Sequence, residues 1–394
     1  MVNKLTISYI NTSFGYWLTS FLIPLIVLQI TGSALTVSIS YALNILPYIF
    51  ITPFSGVICD IINRKKIIAF GEIICSMIAI ILFFTPFNNQ YQNFIIFSGF
   101  LISSFSAIHH PVFQAIIPDI FSAEKIKEVN SAVGIIDSLV SIIAPALLGV
   151  ILTGLSKKNM LLVVAFCYLF SFIMICRIKY TKTTPEQKLN IKNIFNSLKE
   201  GFHYVFTMKS LRNISILFFF VNIGIRVIFP NLIWIYTFIW HLNDNAIAIN
   251  FLIIGIGAMI GARLAKYIIG KVNDLTIIVT CSFFISLCSL LLLLAGNAYM
   301  HALIWALSSL FQSVIVVTFF TYRQKITESR IMGRVVSVTR LISYLAIPVA
   351  SISSGWIINN SGKISNIYLI SCGVTLFSLA LFGFLQKNRR IKSF

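Results

Sequence analysis

The sequence predicts an all-α integral membrane protein of twelve transmembrane helices, arranged as two pseudo-symmetric six-helix bundles. Three observations carry this expectation. Hydrophobic residues make up 58% of the 394 residues and charged residues only 10%, with a mean hydropathy of +0.93. An average soluble domain carries about 25% charge. Apolar runs long enough for a helical span, about 20 residues, recur along the chain. The basic residues alternate in density from one connector to the next.

The runs lie at 7–30, 35–58, 67–86, 94–117, 128–153 and 160–178, then at 211–240, 245–268, 275–295, 299–320, 331–358 and 364–386. Their continuity excludes a membrane β-barrel, whose strands alternate apolar and polar residues over about 10 positions. The long polar stretch, 179–210, divides six spans from six. Within it, Ile191, Ile194, Phe195, Leu198 and Phe202 recur at helical spacing with lysines between them, predicting an amphipathic helix on the membrane surface. The expected organisation is an N-terminal bundle over 1–180, a cytoplasmic linker over 181–210, and a C-terminal bundle with a short basic tail over 211–394.

The formal charge of +19 would point to nucleic acid in a soluble protein. Here its placement decides otherwise. With the N-terminus inside, the inner segments hold 25 Lys and Arg residues and the outer segments hold three, Lys157, Lys158 and Lys363. That asymmetry predicts an even number of spans, both termini in the cytoplasm, and residence in the cell's inner (plasma) membrane. The first stretch has no small-residue cleavage site, so it is expected to be a retained span. The seven cysteines form no C-x-x-C pair and no zinc-spaced cluster with histidine; no metal site and no cofactor are expected.

The halves resemble each other. Ser131–Pro145 aligns without a gap on Arg334–Pro348, each behind a polar connector. This fits a duplicated six-span unit.

The segment after the second span reads Gly56-Val-Ile-Cys-Asp60-Ile-Ile-Asn-Arg64-Lys65-Lys66. It resembles the G-x-x-x-D-R-x-G-R-K/R motif of the major facilitator superfamily. Gly56, Asp60, Arg64 and Lys65 match; Ile61 and Asn63 depart. Ala144-Pro145-Ala-Leu-Leu-Gly149 resembles that family's exporter motif G-P-x-x-G-G at Pro145 and Gly149. His109-His110-Pro111, Pro118-Asp119, Lys127 to Asn130, and Gly333-Arg334-Val335 through Pro348 are similar to a drug-exporter subgroup containing macrolide-efflux and enterobactin-export proteins. The resemblance implies a monomeric secondary transporter working by alternating access. It implies that Asp60 caps the eleventh span as a latch on the inner gate, with Arg64 adding a charge contact. Spans 1, 4, 7 and 10 would line the cavity. That makes Asn11, Tyr16, Trp17, His109, His110, Asn222, Trp234, Tyr236 and Gln312 candidate lining groups.

A proton-driven transporter needs a titratable group inside the membrane, where ionisable residues are costly and functional by default. Asp137 sits about nine residues into the fifth span, roughly 13 Å deep at 1.5 Å per residue. It is a candidate for proton coupling or for a buried ion pair. Arg340 occupies the aligned position in the other half, and Arg226 lies within the seventh span; either can partner Asp137 or bind an anionic group. Glu72, about one turn into the third span, is expected to snorkel to the interface. The histidines are expected to pack at a Pro kink.

The chain contains no P-loop, H-E-x-x-H or G-x-S-x-G. It is therefore expected not to be an enzyme and to draw energy from an ion or substrate gradient. The expected partners are protons, membrane lipids and a small organic substrate of the drug, macrolide or siderophore type, exported in exchange for protons. The alternatives are a lipid or metabolite carrier without proton coupling and, more remotely, a non-transporting receptor.

Overall fold

The computed structural model describes residues 2–52, 54, 62–121, 129, 133, 136, 140, 154–178, 180, 191–328 and 331–391. The long helices are α1 (Val2–Thr31), α2 (Ala34–Phe50), α3 (Arg64–Phe84), α4 (Gln92–Ile120), α5 (Lys157–Cys176), α6 (Ile191–Thr207), α7 (Lys209–Ile228), α8 (Asp244–Ile268), α9 (Asp274–Leu291), α10 (Ala298–Ile326), α11 (Met332–Ser361) and α12 (Ser365–Ile391). Ten of the described helices are long and apolar enough to cross a membrane, and α2 is a shorter apolar one. The expected span 128–153 lies largely outside the described residues. Helix α6 lies within the polar stretch 179–210 that separates the two sets of spans.

The chain divides into two compact units. Residues 1–32 and 43–194 form the first, and residues 33–42 and 195–394 the second. The start of α2 thus packs with the second unit. There, Ser38 donates to Asn231 Oδ1 at 3.0 Å, and Asn231 Nδ2 donates to Ser354 at 2.8 Å. All three side chains are fully buried.

Helix starts follow local sequence. Asn63, Asn243, Asn273 and Asn297, with Ser156, accept backbone N–H groups of the first turns that follow them. Each such cap satisfies a donor that has no intrahelical partner and contributes about 1 kcal/mol. Gly362 closes α11 at φ 64° and donates to Ile358 O at 2.9 Å, a conformation that glycine adopts without a Cβ penalty. Inside the bilayer, small hydroxyls return to their own helix: Thr19 donates to Gly15 O and Ser106 to Ile102 O. This removes the cost of an unsatisfied polar group in hydrocarbon.

In the second unit α8 and α10 meet through small residues. A Cβ on Gly257 would stand 2.2 Å from Ala306 O, and one on Gly261 would stand 2.1 Å from Leu310 O. The Gly257-x-x-x-Gly261 spacing places both on one face of α8. Backbone contact of this kind replaces the hydrophobic drive that is missing between helices in lipid. After α7 the helix continues through a 3₁₀ turn, Phe229–Asn231, and a π-helical turn, Ile235–Ile239. Pro230 lacks an N–H and interrupts the regular α ladder there.

Candidate functional site

Helix α3 begins at Arg64, so Glu72 lies eight residues along it, roughly 12 Å at 1.5 Å per residue. Its side chain is 1% exposed. The expectation that it snorkels is corrected: it faces the interior of the first unit. There Ser8, Thr12 and Ser171 line up toward it. Ser8 and Ser171 hydroxyls are 2.7 Å apart, Ser171 and Thr12 are 2.8 Å apart, and Thr12 donates to Glu72 Oε1 at 2.5 Å. A carboxylate at one end orients every hydroxyl in such a chain, since it can only accept.

His109 of α4 closes the arrangement from the other side. Its Nε2 is 3.1 Å from Glu72 Oε1, an ion-pair distance without hydrogen-bond geometry, and the imidazole is itself nearly buried. The ring lies beside the touching pair Tyr9 and Phe113, 6.1 and 5.7 Å between centroids. Glu72 Oε2 has no hydrogen-bond partner among the described residues. Four helices, α1, α3, α4 and α5, therefore converge on one buried acid–imidazole pair. His110 lies 6.2 Å from Tyr9 on the same helix.

A cavity of about 420 Å³ adjoins this pair. Glu72, His109, Thr12, Ser106 and Tyr168 form its polar wall, and Phe70, Phe105, Ile67, Ile68, Ile108 and Cys75 its apolar wall. Lys66 and Ile62 stand at the start of α3. Phe70 and Ile62 are exposed, so the cavity is open on one side.

The basic residues of the 56–66 segment hold the ends of helices. Arg64 Nη1 is 2.6 Å from Asp119 Oδ2 and 2.9 Å from Ala115 O at the end of α4. Lys65 Nζ donates to Cys176 O and Ile178 O, each at 2.8 Å, where a cation also meets the negative end of α5. Tyr180 donates to Asp119 Oδ2 at 2.7 Å. Burial, and then that bond to a carboxylate, push the Tyr180 hydroxyl up to about 12. Gly56, Asp60, Asp137, Pro145 and Gly149 lie outside the described residues. So do most of Ser131–Pro145, the latch geometry and any pairing of Asp137.

In the second unit, Arg226 is half-buried; it donates to Tyr41 Oη at 3.1 Å and lies 5.1 Å from the Phe229 ring centroid. Arg340 is exposed. Arg334 pairs with Glu200 at 2.6 Å. Tyr236 is fully buried with its hydroxyl 3.2 Å from His301 Nδ1; Tyr368 approaches His301 Nε2 at 2.8 Å. Tyr236 is thus packed inside the unit, a correction to its expected place on a cavity wall. Asn222 donates to Phe218 O of its own helix at 2.9 Å, and Asn11 to Ile7 O at 2.8 Å. Tyr16 contacts Trp17 and Tyr48, Trp17 stacks on Phe21, and Trp234 stacks on Phe238. Gln312 is half-buried on α10. Arg323, counted among the connector cations in sequence, is 5% exposed and donates to Thr339 at 2.7 Å.

Sequence reasoning passed over Glu72 as a site residue. A stricter signal was present: Asn63 marks the cap, which places Glu72 two turns deep.

The family model described as Major Facilitator Superfamily matches residues 5–351. Macrolide efflux protein A of Streptococcus pyogenes is 23% identical over 361 residues, covering 89% of this chain and 87% of that protein. The bacilysin exporter BacE of Bacillus subtilis (strain 168) is 30% identical over 233 residues, covering 56% of this chain and 55% of that one. Among solved structures, the nucleoside transporter NupG superposes with a TM-score of 0.75 at 13% identity, covering 98% of this chain and 99% of that chain. At that identity the likeness concerns the fold alone.

Proposed function

The chain belongs to the major facilitator superfamily, and on that premise we propose that it is a proton-coupled exporter of amphipathic small organic molecules. The observation that carries the reading is the Glu72–His109 pair, buried at the wall of the 420 Å³ cavity. Export as the direction is supported by relatives named for efflux of macrolides and export of bacilysin. The charge asymmetry supports insertion in the cell membrane with both termini in the cytoplasm.

A buried acid beside an imidazole is neutral overall when the two hold one exchangeable proton. Losing that proton leaves a net anion, and gaining another leaves a net cation. Either net charge is costly in a dry bundle. Proton exchange is therefore tied to conformations that admit water to Glu72. The Thr12 hydroxyl holds the carboxylate while the proton is absent, and Ser171 in turn bonds Thr12. A substrate in the adjoining cavity buries its apolar surface on Phe70 and Phe105 and presents its polar part to Glu72. Proton and substrate then compete for one carboxylate, which is the requirement for exchange. Asp137, read from sequence, is proposed as a second proton-linked residue.

The test is efflux from cells expressing the protein, across a panel of macrolides, lipophilic cations, siderophores and short peptides, with and without a protonophore. The expected result is protonophore-sensitive efflux of at least one class, lost in Glu72→Gln while the protein remains in the membrane. Efflux that persists unchanged in Glu72→Gln overturns the assignment of the pair.

A further inference from the structure

A second cavity, about 280 Å³, lies within the second unit where α6, α7 and α11 meet. Phe206 from α6, Ile216, Phe219 and Phe220 from α7, and Ile342 and Leu345 from α11 wall it, so it is almost wholly apolar. Two features make it a built crevice. Helix α6 is pinned to the start of α11 by the Glu200–Arg334 pair at 2.6 Å. Gly201 lets the two approach, because a Cβ there would stand 2.9 Å from Val338 Cγ2 and 3.0 Å from Arg334 O.

The polar groups at the crevice point to one ligand class. Arg212 lines it one turn into α7. Its Nε makes a 3.4 Å bond to Asn213 Oδ1. Lys209 is exposed one turn earlier on the same helix, and Lys199 is exposed on α6. The acidic neighbour, Glu200, is already engaged by Arg334. Ser215 is 3% exposed, lines the crevice, and its hydroxyl has no partner among the described residues. An apolar slot with Arg212 on its wall and exposed lysines on the same two helices matches an acyl chain below an anionic headgroup. By the Lys and Arg count this end of α7 faces the cytoplasmic leaflet, where basic segments collect anionic lipid.

We infer that the crevice between α6, α7 and α11 is a binding site for an anionic phospholipid, with an acyl chain along Phe219 and Ile342 and the headgroup held by Arg212 and Lys209. The bound lipid fastens the linker helix to the second unit. This site is independent of proton coupling at Glu72.

The test is native mass spectrometry of the purified, delipidated protein titrated with phosphatidylglycerol or with phosphatidylcholine of the same acyl chains. One phosphatidylglycerol is expected to bind more tightly than phosphatidylcholine, by about fivefold for each engaged cation. Arg212→Gln should remove most of that preference, and Arg212→Lys should keep it. Leu345→Trp, at an exposed wall position, should block the first-bound lipid of either kind. Equal binding of the two lipids overturns the inference. So does phosphatidylglycerol binding unchanged in both Arg212→Gln and Leu345→Trp.

Discussion

Glu72 accepts from Thr12 and faces His109 in a buried setting, so what replaces it matters more than that it is replaced. Glu72→Ala leaves Thr12 and His109 facing an empty space. Leaving buried polar groups without their partner costs about 1–3 kcal/mol each, and thermal unfolding in detergent should show a correspondingly lower midpoint. Glu72→Gln keeps the shape and the bond from Thr12, so its midpoint should stay close to that of the native chain while proton linkage is lost. A second residue-scale prediction concerns Tyr180. Its hydroxyl is raised to about 12 in the folded protein, above the ordinary value near 10. The raised value favours the protonated form in the fold. Its contribution is therefore complete below pH 10 and is lost as pH rises from 10 to 12. Tyr180→Phe should lower thermal stability at neutral pH, where the bond to Asp119 is intact, and should flatten the further loss between pH 10 and 12. The sequence showed that His109 could matter, through its place before Pro111, but not what it touches. Its partner comes from another helix, and a hydropathy profile carries no information about the direction in which Glu72 points.

At the scale of elements, the spans were legible because hydrocarbon thickness fixes their length and polar caps fix their ends. The apolar runs 245–268 and 275–295 correspond to Asp244–Ile268 and to Asp274–Leu291 with its following 3₁₀ turn. Departures from regular helix were not legible. The π-helical turn at Ile235–Ile239 is as apolar as its neighbours, so no pattern marked it. It carries Tyr236 against His301. His301→Phe should leave the Tyr236 and Tyr368 hydroxyls without their ring-nitrogen partner. Each buried orphan costs about 1–3 kcal/mol, measurable as a lowered unfolding midpoint. The α8–α10 contact depends on two glycines. Gly261→Val puts a branched side chain where even a Cβ would meet Leu310 O at 2.1 Å. The helices must separate, at a cost of about 3 kcal/mol or more. A distance between spin labels on α8 and α10 should lengthen in that variant.

Across the whole molecule, the two units repeat a charge contact with its signs exchanged. In the first unit a cation at the start of α3, Arg64, meets Asp119 at the end of α4. In the second an anion at the start of α9, Asp274, meets Lys325 at the end of α10 at 2.8 Å. A six-span repeat was legible from one aligned segment, but these contacts were not, because exchange of sign erases residue identity while preserving attraction. The buried acid–imidazole pair has no such counterpart among the described residues of the second unit. There the buried histidine, His301, meets two tyrosine hydroxyls and no carboxylate. The proposed proton-linked event is therefore assigned to the first unit.

The measurement that tests this claim most directly is luminal pH in proteoliposomes during substrate movement, for the native chain, Glu72→Gln and Asp137→Asn. Proton movement that begins on adding substrate, and disappears in Glu72→Gln without loss of reconstituted protein, is the predicted result. Substrate-driven proton movement of undiminished size in Glu72→Gln would contradict it.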